Sequence, residues 1–154
     1  MINYFKYKRL AYYDMVCGCN NRNYLEDKLV KKYKNKLTYV TIIDVDDLKI
    51  INDTFGHLAG DHALRSVVDA LKTNKSITHI CRYGGDEFIV FHKDDIAFGK
   101  ISGLVKRAAG TSFSYGTVRK APFIIFQDAL ADADARLYRN KRRKNERNEY
   151  IRNV

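Results

Sequence analysis

Ile77-Thr78-His79-Ile80-Cys81-Arg82-Tyr83-Gly84-Gly85-Asp86-Glu87-Phe88-Ile89-Val90-Phe91 is the stretch that decides the fold of this chain. Its flanks are rich in β-branched and aromatic residues, and Gly84-Gly85 between them suits the positive φ angles of a tight two-residue turn. The stretch predicts a β-hairpin with Asp86 and Glu87 just past its tip. Upstream, Leu37 to Val45 is a nearly continuous apolar and β-branched run, the pattern of a central buried strand. It ends in Asp44-Val45-Asp46-Asp47, which places carboxylates at the strand's C-terminal edge, where they rarely serve packing. Before it, Asn23-Tyr24-Leu25-Glu26 reads as a capping box opening a helix over about 23–35, with Leu25, Leu29, Val30 and Tyr33 at helical spacing. After a polar turn, Asp61 opens a second helix lined by Leu64, Val67, Val68 and Leu71. Beyond the hairpin, Phe98, Ile101, Leu104 and Val105 mark a short amphipathic helix. Thr111 to Val118 reads as a strand stopped by Pro122, and Leu130, Ala133 and Leu137 mark a last helix. This order predicts an α/β (α+β) domain, a mostly antiparallel central sheet flanked by helices.

At 154 residues the chain has room for one core and too little for two. We divide it into a lead-in segment over 1–13, a folded unit over 14–147 and a C-terminal tail over 148–154. A hydrophobic fraction of 45% excludes general disorder. The formal charge of +10 favours an anionic partner, and much of it lies in the basic stretch between Arg136 and Arg152. Cys17, Cys19 and Cys81 are an odd number, so no disulfide framework follows. With no signal-type apolar run at the N-terminus, they point to free thiols and a cytoplasmic location. No second close Cys or His pair completes a zinc site with Cys17 and Cys19. No apolar stretch reaches the roughly 20 residues that span a bilayer.

Arg82-Tyr83-Gly84-Gly85-Asp86-Glu87-Phe88 combines bare backbone with adjacent carboxylates, an arrangement that lets a ligand approach closely. On its own it would be a hairpin turn with solvated acids. About forty residues upstream, Asp44-Val45-Asp46-Asp47-Leu48-Lys49-Ile50-Ile51-Asn52-Asp53-Thr54-Phe55-Gly56-His57-Leu58-Ala59-Gly60-Asp61 gathers acids, a lysine, an amide and an imidazole in one turn-rich stretch. Together the two segments closely resemble the GGDEF family of diguanylate cyclases. The likeness extends to Asp14-Met15-Val16-Cys17-Gly18-Cys19-Asn20-Asn21-Arg22, which resembles the family's Asp-x-Leu-Thr-Gly-Leu-x-Asn-Arg motif with Cys in place of Thr and Leu. It continues in Ser114-Tyr115-Gly116 and in Ala133-Asp134-Ala135-Arg136-Leu137-Tyr138-Arg139-Asn140-Lys141.

The resemblance implies a nucleotidyl-cyclase-like fold that condenses two GTP into cyclic di-GMP. It implies Mg²⁺, or Mn²⁺, held by Asp44, Asp86 and the carbonyl of Val45, hard oxygen donors of the kind Mg²⁺ prefers. Asp86 or Glu87 would assist deprotonation of the attacking hydroxyl, and Lys49 and Lys141 would neutralise phosphate charge. Asn52 and Asp61 match the positions that read guanine, whose N1 and N2 donors suit a carboxylate. His57 would hold the loop or touch the nucleotide, and Gly84 and Gly85 would let the substrate approach. A homodimer is implied, because each domain holds one GTP, and a missing sensor or partner domain is expected. Three departures stand out. The family's Gly followed by Arg or Lys and Asn is replaced by Lys144-Asn145-Glu146, so the second phosphate-binding cation is either missing or has moved to Arg142, Arg143 or Arg147. The inhibitory Arg-x-x-Asp is replaced by Lys75 and Thr78, so product inhibition there is not expected. The stretch between Phe88 and Ser114 is shorter than usual, which implies a trimmed peripheral helix. Two other readings compete with an active cyclase: a catalytically weak relative that binds GTP or a protein partner for regulation, and, on the basic tail and 11 tyrosines, a nucleic-acid-binding module.

Overall fold

A computed structural model describes Tyr7 and residues 10–153. Most of the lead-in, residues 1–6 and 8–9, lies outside them. Short strands β1 (Tyr13–Asp14) and β2 (Cys19–Asn20) precede a helix, α1, built from Arg22–Tyr24, a π-helical turn Leu25–Leu29 and Val30–Lys32. There follow β3 (Thr38–Val45), α2 (Leu48–Phe55), α3 (His57–Lys72), β4 (Ile77–Arg82), β5 (Glu87–His92), α4 (Phe98–Ala109), β6 (Phe113–Lys120) and α5 (Phe126–Arg152). The strands form one six-stranded sheet in the order β1-β2-β4-β5-β3-β6, antiparallel throughout except where β2 meets β4.

Strand β3 sits between β5 and β6 and is buried on both faces, which explains its unbroken apolar run. Ile43, Val45, Phe88, Val90 and Phe113 pack on one face with Leu64, Val67 and Leu71 of α3 and with Phe98 and Val105 of α4. Val40, Ile42, Ile89, Phe91 and Val118 pack on the other with Leu25 and Leu29 of α1 and with Phe126, Ala129, Ala133 and Leu137 of α5. Full burial of each such side chain stabilises the fold by about 1.5–3 kcal/mol, so the two layers fix the sheet before any polar contact matters.

Four sequence expectations change in detail. Helix α1 starts at Arg22, because Asn21 Oδ1 accepts the Tyr24 N–H at 3.1 Å, while the amide of Asn23 donates to the Ala11 carbonyl. The helix closes before residue 35, as the buried ammonium of Lys120 takes the carbonyls of Tyr33 and Lys34. The polar turn before Asp61 contains a helix, α2, and Asp61 lies inside α3 instead of opening it. Gly56 makes both ends possible: its φ of 87° ends α2 and begins α3. The hairpin connection spans residues 83–86 and neither glycine adopts a positive φ. Arg82 closes it instead, donating to the carbonyls of Gly84 and Gly85 while the Tyr83 N–H meets the Glu87 carbonyl at 2.8 Å. Between β5 and β6 the chain holds one helix, α4.

Among the described residues no helix is long and apolar enough to cross a membrane. Cys17, Cys19 and Cys81 are buried free thiols whose pKa values burial pushes up to about 12, 11 and 12, which leaves them protonated and unreactive at neutral pH.

Candidate functional site

Sheet pairing brings the acids together. Asp44, near the end of β3, stands directly opposite Glu87, the first residue of β5, and the Val45 N–H donates to the Asp86 carbonyl at 2.9 Å. Ser114 of β6 is the partner of Asp44 on the other side. Burial pushes the Asp44 carboxyl above the usual carboxylate range, and the charges of Asp86 and Asp46 add to that push against the pull of Lys141. Burial likewise raises Glu87, with the charges of Asp44, Asp86 and Asp134 acting in the same direction. Burial is the larger cause for both groups, and the neighbouring carboxylates at this end of the sheet add to it.

Helix α5 supplies the opposing charge. It lies close on β6 because Gly116 has no side chain: a Cβ there would collide with the backbone of Ala133 and Leu137. Asn140 Oδ1 then accepts the Tyr115 N–H at 3.1 Å, which fixes the helix lengthwise and covers part of the sheet edge. One residue on, Lys141 Nζ meets Asp44 Oδ2 at 2.7 Å. One turn further, Lys144 pairs with Asp46, whose carboxylate also accepts from Ser112 Oγ at 2.6 Å and Ser114 Oγ at 2.7 Å. Sequence reasoning counts Asp46 among the strand-end acids and Lys144 in the altered tail but does not pair them, and it does not single out Ser112. Their only sequence signature is a match of spacing, lysines three apart on a helix against aspartates two apart on a strand.

Asn52 reaches the residue before Asp61. The Asn52 side chain rests on the bare backbone of Gly60, where any Cβ would displace it, and Asp61 follows immediately. Asp61 lines a cleft of about 240 Å³ with Val16, Leu58, His62 and Arg65. Arg65 in turn donates to the carbonyls of Met15 and Val16, clasping the turn after β1. Gly84 lies against Glu87, at 3.1 Å from its carboxylate to a Cβ built there, and Gly85 is open. Lys49 and His57 are exposed, and among the described residues neither bonds to Asp44, Asp86 or Glu87. Arg142, one of the expected replacements for the family's phosphate-binding cation, pairs with Glu146 on the surface, whereas Arg143 and Arg147 face a groove of about 780 Å³ between α4 and the last turns of α5.

Arg82 links the hairpin to the start of the chain. Beyond bracing Gly84 and Gly85, it pairs with Asp14 at 3.2 Å. Burial alone would raise the Asp14 carboxyl, but the Cys17 N–H and Arg82 outweigh it and hold its pKa below the usual range. Among the described residues no three Asp, Glu, His or Cys side chains form a metal cage. The carboxylates of Asp44, Asp86 and Glu87 are hard oxygen donors, the ligand class Mg²⁺ takes together with water and substrate phosphate.

The profile of the family described as diguanylate cyclase, GGDEF domain, matches residues 11–108. The chain belongs to the GGDEF family. Among curated relatives of this GGDEF domain, the response regulator PleD of Caulobacter vibrioides is 42% identical over 91 residues, 55% of this chain and 20% of the relative. The diguanylate cyclase DgcS of Shewanella oneidensis is 28% identical over 92% of this chain and 54% of its own length. The domain thus spans between a fifth and about half of these relatives. Among solved structures, a microbial GGDEF domain described in its interaction with cyclic di-GMP aligns with a TM-score of 0.75 at 27% identity, covering 88% of this chain and 93% of that one. The coiled coil and GGDEF domain of DgcB from Caulobacter crescentus, in complex with c-di-GMP, aligns at 0.74 and 22% identity over 92% and 86%, a likeness of fold.

Proposed function

We propose that this GGDEF domain is a diguanylate cyclase module that joins two GTP into cyclic di-GMP and two pyrophosphates, each of two copies presenting one GTP to the other. The observation that carries the reading is the convergence of Asp44, Asp86 and Glu87 at one sheet end with Lys141 reaching into it. A magnesium or manganese ion bound there would polarise the α-phosphate and offset triphosphate charge. Asp44, Asp86 and the Val45 carbonyl are the oxygens that would hold it. Glu87, or Asp86 beside it, takes the proton of the attacking 3′-hydroxyl. A carboxyl raised by burial is better matched to that task near neutral pH than an ordinary one. Lys141 and the exposed Lys49 steady the departing pyrophosphate as point charges. Asn52 and Asp61 select guanine, since Asp61 accepts from N1 and N2 donors that adenine does not present. Gly84 and Gly85 leave room for the nucleotide at the hairpin, and His57, the first residue of α3, holds the junction at Gly56 or touches the nucleotide.

A second reading has specific support. Asn145 and Glu146 replace a family cation landmark, and Lys75 and Thr78 replace the inhibitory pair, with Thr78 Oγ1 occupied by the Phe91 carbonyl and the Tyr33 hydroxyl. These changes fit a domain that binds GTP for regulation and turns it over weakly. Product analysis with GTP, ATP and their mixture tests the choice. The cyclase reading expects cyclic di-GMP from GTP, no product from ATP alone and little mixed dinucleotide. Tight GTP binding without turnover, even when two copies are forced together, would favour the regulatory reading.

A further inference from the structure

Asp44 and Asp46 stand on β3 and just past its end, two residues apart, and each is engaged by a lysine from the same face of α5. The two pairs are not equivalent. Asp46 is held from three sides, by Ser112, Ser114 and Lys144, and Lys144 also donates to Ser112 Oγ at 3.1 Å. Its carboxylate is fully engaged within the protein. Among the described residues Asp44 has only Lys141; the two lysine side chains are exposed alike, 40% for Lys141 and 36% for Lys144, so the pairs differ in how many partners hold each carboxylate. Lys141 can therefore be withdrawn to solvent by giving up one contact, whereas Lys144 is also tied to Ser112.

We propose that Lys141 is a stand-in for the divalent ion, holding its charge on Asp44 until metal and nucleotide arrive, and that Lys144 is the positioning residue that puts Lys141 there. The inference rests on the reading of Asp44 as a metal ligand. Lys144 and Lys141 are three residues apart on a helix, so with Asn140 fixing α5 lengthwise the clamp of Lys144 on Asp46 sets the rotation that holds Lys141 over Asp44. When a divalent ion takes Asp44, the Lys141 ammonium is displaced by like charge and is left beside the arriving phosphates. The clamp at Asp46 keeps α5 from lifting away with it. The resting site thus takes free metal weakly and favours a metal that brings its own anion.

The sign of one measurement separates this arrangement from a merely structural role. Mn²⁺ binding to the nucleotide-free full chain is followed by the loss of its free electron-spin-resonance signal. Lys141→Gln is expected to tighten Mn²⁺ binding about fivefold, the scale of a partly exposed ion pair. Lys144→Gln is expected to tighten it as well, because a released Lys141 no longer covers Asp44. The double variant should gain little beyond Lys141→Gln alone, since both act through one contact. Lys144→Arg should stay near the parent, and thermal unfolding confirms that each variant folds. Loosening of the site for structural reasons would give the reverse, weaker Mn²⁺ binding in Lys144→Gln, and would overturn the positioning role. An unchanged affinity in Lys141→Gln would overturn the stand-in while leaving the metal reading in place. Mn²⁺ binding that survives Asp44→Asn, or that is absent from every variant, would overturn the inference and the metal reading together.

Discussion

His92 is fully buried on β5, and its ring stacks on Tyr39 and meets Phe98 edge-on. Its Nε2 faces Thr41 Oγ1 at 2.8 Å and its Nδ1 faces the Asp94 carbonyl at 2.7 Å. Burial holds its pKa below the usual imidazole value, against the pull of that carbonyl and of the Asp94 and Asp95 charges. The unfolded chain takes up the proton near pH 6.5, about the free value, whereas the folded chain resists it to lower pH. His92 therefore contributes stability that is complete above about pH 6.5 and is lost as pH falls below it toward the folded value. Urea unfolding at mildly acidic and neutral pH should show the parent losing stability in acid and His92→Gln losing less. Asp44 and Glu87, raised by burial, act in the opposite direction, since acid relieves their charge. The comparison with the variant isolates the histidine, and an identical acid loss in both proteins would contradict this assignment.

Helix on sheet is where the site is assembled. The atoms that a Cβ at Gly116 would strike are backbone atoms of Ala133 and Leu137, which cannot rotate aside. Gly116→Ala should therefore cost about 3 kcal/mol, the upper part of the overpacking range, and a shift in the urea midpoint without a change in slope would register it. Full parent stability would mean that α5 can lift off the sheet freely. The main strands and helices were legible because their patterns are strong: β-branched runs for β3, β4 and β5, and a helical stripe for α3. Helix α2 was missed because it is only eight residues long, apolar Leu48, Ile51 and Phe55 sit among polar residues, and Gly56 looks like a turn. The hairpin glycines misled for a related reason, since Arg82, whose reach across the bend no local pattern announces, shapes it. The acidic pair was legible from where two strands end. Lys144 against Asp46 was not, for it joins residues 98 apart that only the close seat of α5 on Gly116 brings together.

For the whole molecule, the decisive quantity is charge. On the proposed reading two copies at +10 approach one another, and the stretch of α5 from Arg136 to Arg152 carries eight Lys and Arg against two Glu. Bound triphosphate removes part of this charge, and salt screens the remainder over about 8 Å at physiological ionic strength. Product formed per chain should thus rise with protein concentration and, at fixed concentration, rise from very low to moderate salt before nucleotide binding weakens. A rate per chain that is independent of concentration would contradict catalysis between copies. The central claim is that Asp44 and Asp86 together turn a sheet end into a place where a metal nucleotide reacts. It is tested most directly by quantifying cyclic di-GMP made from GTP and Mg²⁺, at concentrations high enough to pair the chains, by the parent and by Asp86→Ala. The account predicts product from the parent and none above background from a folded Asp86→Ala; equal product from both, or none from the parent, would contradict it.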